Sequence, residues 1–146
     1  MNVTAASPNN EVLIKKLLAG CELPYEDITS SHLEHFHVLW DDDQLVGVIG
    51  VEVFGTVALL RSLAVDKRYR GQGLGLHLIG RAEEYAQSLG IEALYLLTTT
   101  AEGLFSKNGY ASTIRETVPA VLQQTSTFGI SCPSDAACMV KSLSSG

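Results

Sequence analysis

Basic residues are scarce in this chain: ten Lys and Arg stand against sixteen Asp and Glu, a formal net charge of −6 over 146 residues. Nucleic acids and anionic membrane surfaces are bound through a basic excess, so neither is an expected partner. Long apolar runs are missing as well. Charge or glycine interrupts each run well short of the about 18 residues that a membrane span needs. The opening "MNVTAASPNN" has neither the basic nor the apolar region of a secretion signal, so a cytoplasmic protein is expected. Cysteine is limited to Cys21, Cys132 and Cys138, an odd set without CxxC or a zinc-ligand spacing, which favours reduced thiols. Repeats, low-complexity tracts and linker-like blocks are absent too. One domain over residues 1–146 is the expected organisation, with 46% hydrophobic residues for its core.

What is present is an ordered succession of patterns. A strand is expected around Val3 to Ala6. Then "SPNN" caps a helix over Asn9 to Leu18, with Val12, Leu13, Lys15, Lys16 and Leu17 as its stripe and Gly20 as its stop. His35 to Val65 is rich in β-branched and aromatic residues, "HFHVLW", "LVGVIGVEVFG" and "TVALLRSLAV", and reads as a three-stranded meander turning at Asp42 and Gly55. From Leu74 the period becomes helical, through Leu78, Ile79, Ala82, Ala86 and Leu89 to a stop at Gly90. A strand "EALYLLT" and a short helix "AEGLFSKN", ended by Gly109, follow. Two further strands, in "YASTIRE" and "AACMVKSL", are joined by a long proline-containing connection.

Between the third meander strand and the long helix lies "RYRGQGLG", Arg68 to Gly75. A strand, a glycine loop and a helix N-terminus in succession aim several backbone amides and the positive end of a helix dipole at one point, which suits a phosphate. Glycine allows close approach of the anion and the positive φ of tight turns. A Walker loop is excluded, because no Lys-Ser or Lys-Thr follows Gly75. A dinucleotide fingerprint fails as well: Gly71, Gly73 and Gly75 alternate, position 76 is Leu, and the loop follows the third strand of a meander.

The stretch "LRSLAVDKRYRGQGLGLHLI" resembles motif A of the GNAT N-acetyltransferases, whose R-x-x-G-x-G pattern is met by Arg70, Gly71, Gln72, Gly73, Leu74 and Gly75, and "LFSKNGY" resembles their motif B. The resemblance implies an α/β (α+β) protein of the GNAT fold, with flanking helices and a central mixed, mostly antiparallel sheet. Its fourth and fifth strands, Thr56 to Val65 and Glu92 to Thr98 here, would be splayed around a thioester. It further implies acetyl-CoA as cosubstrate, its pyrophosphate on the loop amides and its pantetheine arm paired with Leu63, Ala64 and Val65. The chemistry needs no metal, and a homodimer is a possible assembly.

Acetyl transfer to an amine needs a proton acceptor near the thioester. Glu52 is the only carboxylate within "VGVIGVEVF", on the face of Gly50 and Phe54, and is the candidate base; the alternative is an outward-facing strand Glu. Two positions depart from the family pattern. Leu59 stands where relatives carry the catalytic Glu, and Phe105 where they carry an acidic Tyr, so the general acid stays open among Tyr110, Tyr95 and Ser106. Arg61 interrupts an apolar strand. With Arg115 it could grip an acidic group of the substrate, or it could be structural, paired with Glu52 or another internal acid. Thr98, Thr99 and Thr100 offer hydroxyls at the splayed end, or are plain strand termini.

Over the whole chain, "ALLRSLAV", "LYLLTTTA" and "FGISCPSDAACM" resemble the arsenic-resistance-operon N-acetyltransferases and the acetyltransferase domain of N-acetylglutamate synthases. This implies a small-molecule amine acceptor: an α-amino acid with a second acidic group, such as glutamate or a toxic glutamate mimic of the arsinothricin or phosphinothricin type, with a role in arsenic resistance. Other readings stay beside it. His32, His35 and His37 could share a strand face and hold a metal, or be half-buried histidines near the substrate mouth. The three cysteines could bind trivalent arsenic in a sensor, and the fold could bind acetyl-CoA without catalysis.

Overall fold

The computed structural model describes residues 1–98, 101–125 and 136–143. Strand β1 (Asn2–Ala5) leads into a 3-10 turn at Pro8–Asn10, where the Asn10 side-chain oxygen accepts the Ser7 amide, and then into helix α1 (Glu11–Gly20). The turn moves the start of the α-helix from Asn9 to Glu11. The stripe also needs correction: Ile14 and Leu18, one turn apart, are the buried pair, whereas Val12 and Leu13 face outward at 76% and 44% exposure. A short helix, α2 (Ser30–Leu33), was not anticipated.

The meander forms as expected: β2 (Phe36–Asp41), β3 (Gln44–Phe54) and β4 (Val57–Val65), with left-handed backbone at Asp42 (φ 52°) and Gly55 (φ 69°) in its turns. Helix α3 (Leu74–Ser88) buries Leu78, Ile79, Ala82 and Ala86 and is followed by Gly90 at φ 82°. Strand β5 (Ala93–Thr98), helix α4 (Glu102–Lys107), strand β6 (Ala111–Ser112), a 3-10 turn at Arg115–Thr117, helix α5 (Ala120–Gln123) and strand β7 (Ala137–Ser142) complete the described chain. The strand expected across "YASTIRE" is therefore cut to Ala111–Ser112; Ile114, which its alternation needed inside, is 65% exposed.

The seven strands among the described residues form one sheet in the order β1-β2-β3-β4-β5-β7-β6. Every pairing is antiparallel except β4 with β5. That parallel contact has only the rungs Val57↔Ala93, Ala58↔Leu94 and Leu59↔Tyr95; beyond them β4 runs on from Leu60 and β5 from Leu96 without a shared rung. The two strands splay there. A bulge reinforces the divergence, because Val48 faces Ala64 but Gly50 faces Arg61, leaving Ser62 extra on β4 with φ 60°.

Helices α3 and α4 cover one face, packing Leu78, Ile79, Ala82, Ala86 and Phe105 against Val51, Leu60, Leu94 and Leu96. The opposite face carries two separate patches. At one, Ile14, Leu18 and Leu33 pack on Phe36, Val38, Val48 and Ala64; at the other, Val118 and Leu122 pack on Leu59 and Cys138. Register places Gly50 and Glu52 of β3, with Arg61 of β4, between these patches on that face. Gly50 is needed there, since a Cβ would lie 2.3 Å from the Phe36 ring.

Candidate active site

At the open end of the splay, β4 gives way to a 3-10 turn at Lys67–Tyr69 and then to the glycines. Gly71 (φ 82°) and Gly73 (φ 78°) adopt left-handed backbone, and Gly73, without a side chain, occupies the N-cap of α3. The first-turn amides of a 15-residue helix are thus left without a capping side chain. A Cβ built on Gly71, Gly73 or Gly75 meets nothing within 4 Å. Positive φ accounts for glycine at 71 and 73, and at all three positions the backbone is uncovered, which leaves its amides accessible to an anion the size of a pyrophosphate. Arg70 turns back, its Nε donating to the Val65 carbonyl at 3.1 Å. Arg68 is paired with Asp66, whose carboxyl it holds below the usual carboxylate range by hydrogen bonding. Leu63, Ala64 and Val65 lie on the part of β4 without β5 rungs, a backbone edge suited to an extended ligand.

The second part of the site is polar and lies between the two apolar patches. The Arg61 guanidinium, its side chain only 5% exposed, donates from Nη1 to Asp27 Oδ2 at 2.6 Å and to Glu52 Oε1 at 2.7 Å. Nη2 reaches Asp27 Oδ1 at 2.8 Å, and Nε donates to Ser62 Oγ at 3.0 Å. Burial works against the positive charge, but the hydrogen bonds that Arg61 donates to Asp27 and Glu52 outweigh it and hold Arg61 firmly protonated. Of the two partners open to Arg61, substrate or internal acid, the structure shows the internal one. Glu52 keeps its second oxygen, Oε2, 3.9 Å from His32 Nε2.

The other expected residues fall in different places. Arg115 lines an open cavity of about 360 Å³ with Glu102, Ser112, Thr113, Glu116 and Ala136 to Cys138. No residue of β3 or β4 is among that lining, so Arg61 and Arg115 do not share a wall, although Ala137 pairs with Thr98 at the splayed end of β5. Thr98 Oγ1 accepts the Ala101 amide at 2.9 Å. Thr99 and Thr100 lie outside the described residues, as does Cys132. Tyr110 is buried and donates to Glu83 Oε2 at 2.8 Å; burial, then Glu83, push its pKa far up, so its proton is poorly placed for a leaving thiolate.

The histidine pattern does not lie on one strand face. His32 belongs to α2, where its Nδ1 accepts the Thr29 amide at 2.9 Å; His35 precedes β2 and bonds Tyr85 through Nδ1; His37 alone is in the strand, buried edge-on to Tyr85. Among the described residues no group of three or more His, Cys, Asp or Glu gathers to hold a metal. Cys21 and Cys138 belong to different apolar clusters, which separates two of the three thiols needed for an arsenic site. Asp27 was missed by the sequence reading. It sits in the aperiodic connection between α1 and α2, 34 residues from its partner, and no local pattern marks it.

A family model described as "Acetyltransferase (GNAT) family" matches residues 11–110. The chain is 32% identical over 118 residues to an uncharacterized N-acetyltransferase, CT2212, of Chlorobaculum tepidum, covering 77% of this chain and 73% of that protein. It is 39% identical over 61 residues to an amino-acid acetyltransferase of Pseudomonas paraeruginosa, covering 42% of this chain but 14% of that protein. Among solved structures, N-acetylglutamate synthase from Neisseria gonorrhoeae, complexed with coenzyme A and N-acetyl-glutamate, superposes with a TM-score of 0.86 at 19% identity, covering 98% of this chain and 35% of that one. Rv2747 from Mycobacterium tuberculosis, in complex with CoA and NLQ, gives 0.82 at 19% identity over 97% of this chain and 99% of that one.

Proposed function

The chain belongs to the GNAT family and is an acetyl-CoA-dependent N-acetyltransferase, and from that premise we propose that its acceptor is the α-amine of a small amino acid. Acidic amino acids and glutamate-like toxic analogues of the arsinothricin and phosphinothricin type are the first candidates. The observation that carries this reading is the charge of the buried cluster: one guanidinium, Arg61, against two carboxylates, Asp27 and Glu52. The net negative charge favours an incoming ammonium group. The names of the amino-acid acetyltransferase and N-acetylglutamate synthase relatives point the same way.

In this reading Arg70, Gly71, Gln72, Gly73, Leu74 and Gly75 hold the pyrophosphate, and Leu63, Ala64 and Val65 pair with the pantetheine arm. Glu52 accepts the proton of the amine as its nitrogen forms a bond to the thioester carbon. The C–S bond then breaks and the coenzyme A thiolate leaves with the electron pair. Arg115, which lines the cavity with Ser112 and Thr113, and Thr98 are the further candidates for holding an acidic group of the acceptor, together with Thr99, which lies outside the described residues. A role in arsenic resistance follows if the arsinic mimic is the preferred acceptor.

The test is thiol release from acetyl-CoA with glutamate, phosphinothricin, arsinothricin, a polyamine and a lysine peptide as acceptors. Release with the α-amino acids is expected, and Arg115→Ala should raise KM for the acidic ones about tenfold or more. Turnover confined to the polyamine or the peptide would overturn the acceptor assignment.

A further inference from the structure

We propose that Asp27 is a positioning residue that keeps Glu52 available as a base by occupying Arg61; this rests on the reading of Glu52 as proton acceptor. A guanidinium pairs best with a carboxylate through two parallel N–H bonds. Here Asp27 takes that arrangement, at 2.6 and 2.8 Å, and Glu52 receives only the second hydrogen of Nη1, at 2.7 Å. The remaining Glu52 oxygen, Oε2, is left for the substrate amine. Without the Asp27 charge, Arg61 would be free to turn its fork onto Glu52 and engage both oxygens, leaving none for a proton in flight.

Among the described residues, the charged and titratable groups facing Glu52 are Arg61 from β4, Asp27 from the α1–α2 connection and His32 from α2. His32 does not replace Asp27 in this role. Its Nδ1 accepts the Thr29 amide, so in the neutral ring the proton sits on Nε2, which stays 3.9 Å from Glu52 Oε2, beyond hydrogen-bond distance. It cannot take a proton from Glu52 through that nitrogen. Arg61 Nε donates to Ser62 Oγ, so it is the Nη1 and Nη2 ends of the guanidinium that the two carboxylates share.

Steady-state kinetics of Asp27→Asn, Asp27→Asn/Arg61→Gln and Glu52→Gln in the full chain, with acetyl-CoA and the best acceptor, test the proposal. Asp27→Asn should lower kcat about tenfold, with KM for acetyl-CoA within about twofold of the wild type. Adding Arg61→Gln, which releases Glu52, should recover most of that loss. A double variant no faster than Asp27→Asn, a recovery of Tm without recovery of kcat, or a change confined to KM and Tm would overturn the proposal, because a merely structural Asp27 predicts recovery of stability alone. If Asp27→Asn does not fold, the double variant, which has no unpaired guanidinium, is compared with Glu52→Gln, and a rate no better than that of Glu52→Gln overturns it. Wild-type kcat in Glu52→Gln would instead sink the base reading itself, whatever Asp27 does.

Discussion

His37 shows how one side chain links burial to solution conditions. It is 7% exposed, its Nδ1 has no hydrogen-bond partner, and burial, followed by the nearby Arg81 charge, lowers its pKa. Tyr85 and Arg81 face it from α3, and His35 lies just before it in the chain. The folded state therefore holds the ring neutral. Below about pH 6.5 the unfolded chain takes up a proton that the folded one resists, so stability is complete above that pH and is lost as pH falls toward the lower folded value. Melting temperature should fall between about pH 7 and about pH 5.5, and His37→Phe should flatten that slope. An unchanged slope would assign the acid sensitivity elsewhere. At this scale the sequence was legible where a residue broke a pattern: Glu52 and Arg61 stand out as charges in apolar strands. Asp27 breaks no pattern, since "LPYEDITS" has none to break.

Among the elements, the strand, loop and helix around the glycines make the sharpest case. Gly75 lies in the first turn of α3 with open space where a Cβ would stand, so a side chain there meets no protein atom and would project into the space proposed for the pyrophosphate. Gly75→Ala should raise stability by up to about 1 kcal/mol. Gly75→Val, which reaches further into the cradle, should lower coenzyme A affinity about tenfold or more by calorimetry without lowering Tm. Equal affinity in the valine variant would empty the cradle of its meaning. This element was readable in advance because glycine spacing and periodicity agree with each other, as at the stops of Gly55, Gly90 and Gly109, all at positive φ. Helix α2 and the short β6 were not. One is a single turn fixed by a side-chain cap on Thr29, and the other alternates in sequence while its edge position lets the chain turn away after Ser112.

On the scale of the whole molecule, the two halves of the cleft belong to different parts of the chain, and the sheet joins them. A ligand that fills the cleft binds only the folded state. Acetyl-CoA at about 100 times its Kd should add about 2.7 kcal/mol of stability, or roughly 5–10 °C in Tm for a domain of this size. No shift would remove the cosubstrate from this cleft. No helix among the described residues is long and apolar enough to cross a membrane. The parallel β4–β5 contact and its splay were legible only through family resemblance. Local periodicity says which residues form strands but not which strand becomes whose neighbour.

Strand β7, placed between β5 and β6, has a consequence for how the protein is made. Strand β5 shares three rungs with β4 but six with β7, from Ala93↔Ser142 to Thr98↔Ala137. A ribosome delivers residues 137–142 after all the other described elements, so during synthesis one flank of β5 stays unpaired and one wall of the cleft is unsupported. Until β7 slides into its slot, the nascent chain carries an open sheet edge that a neighbouring chain could occupy.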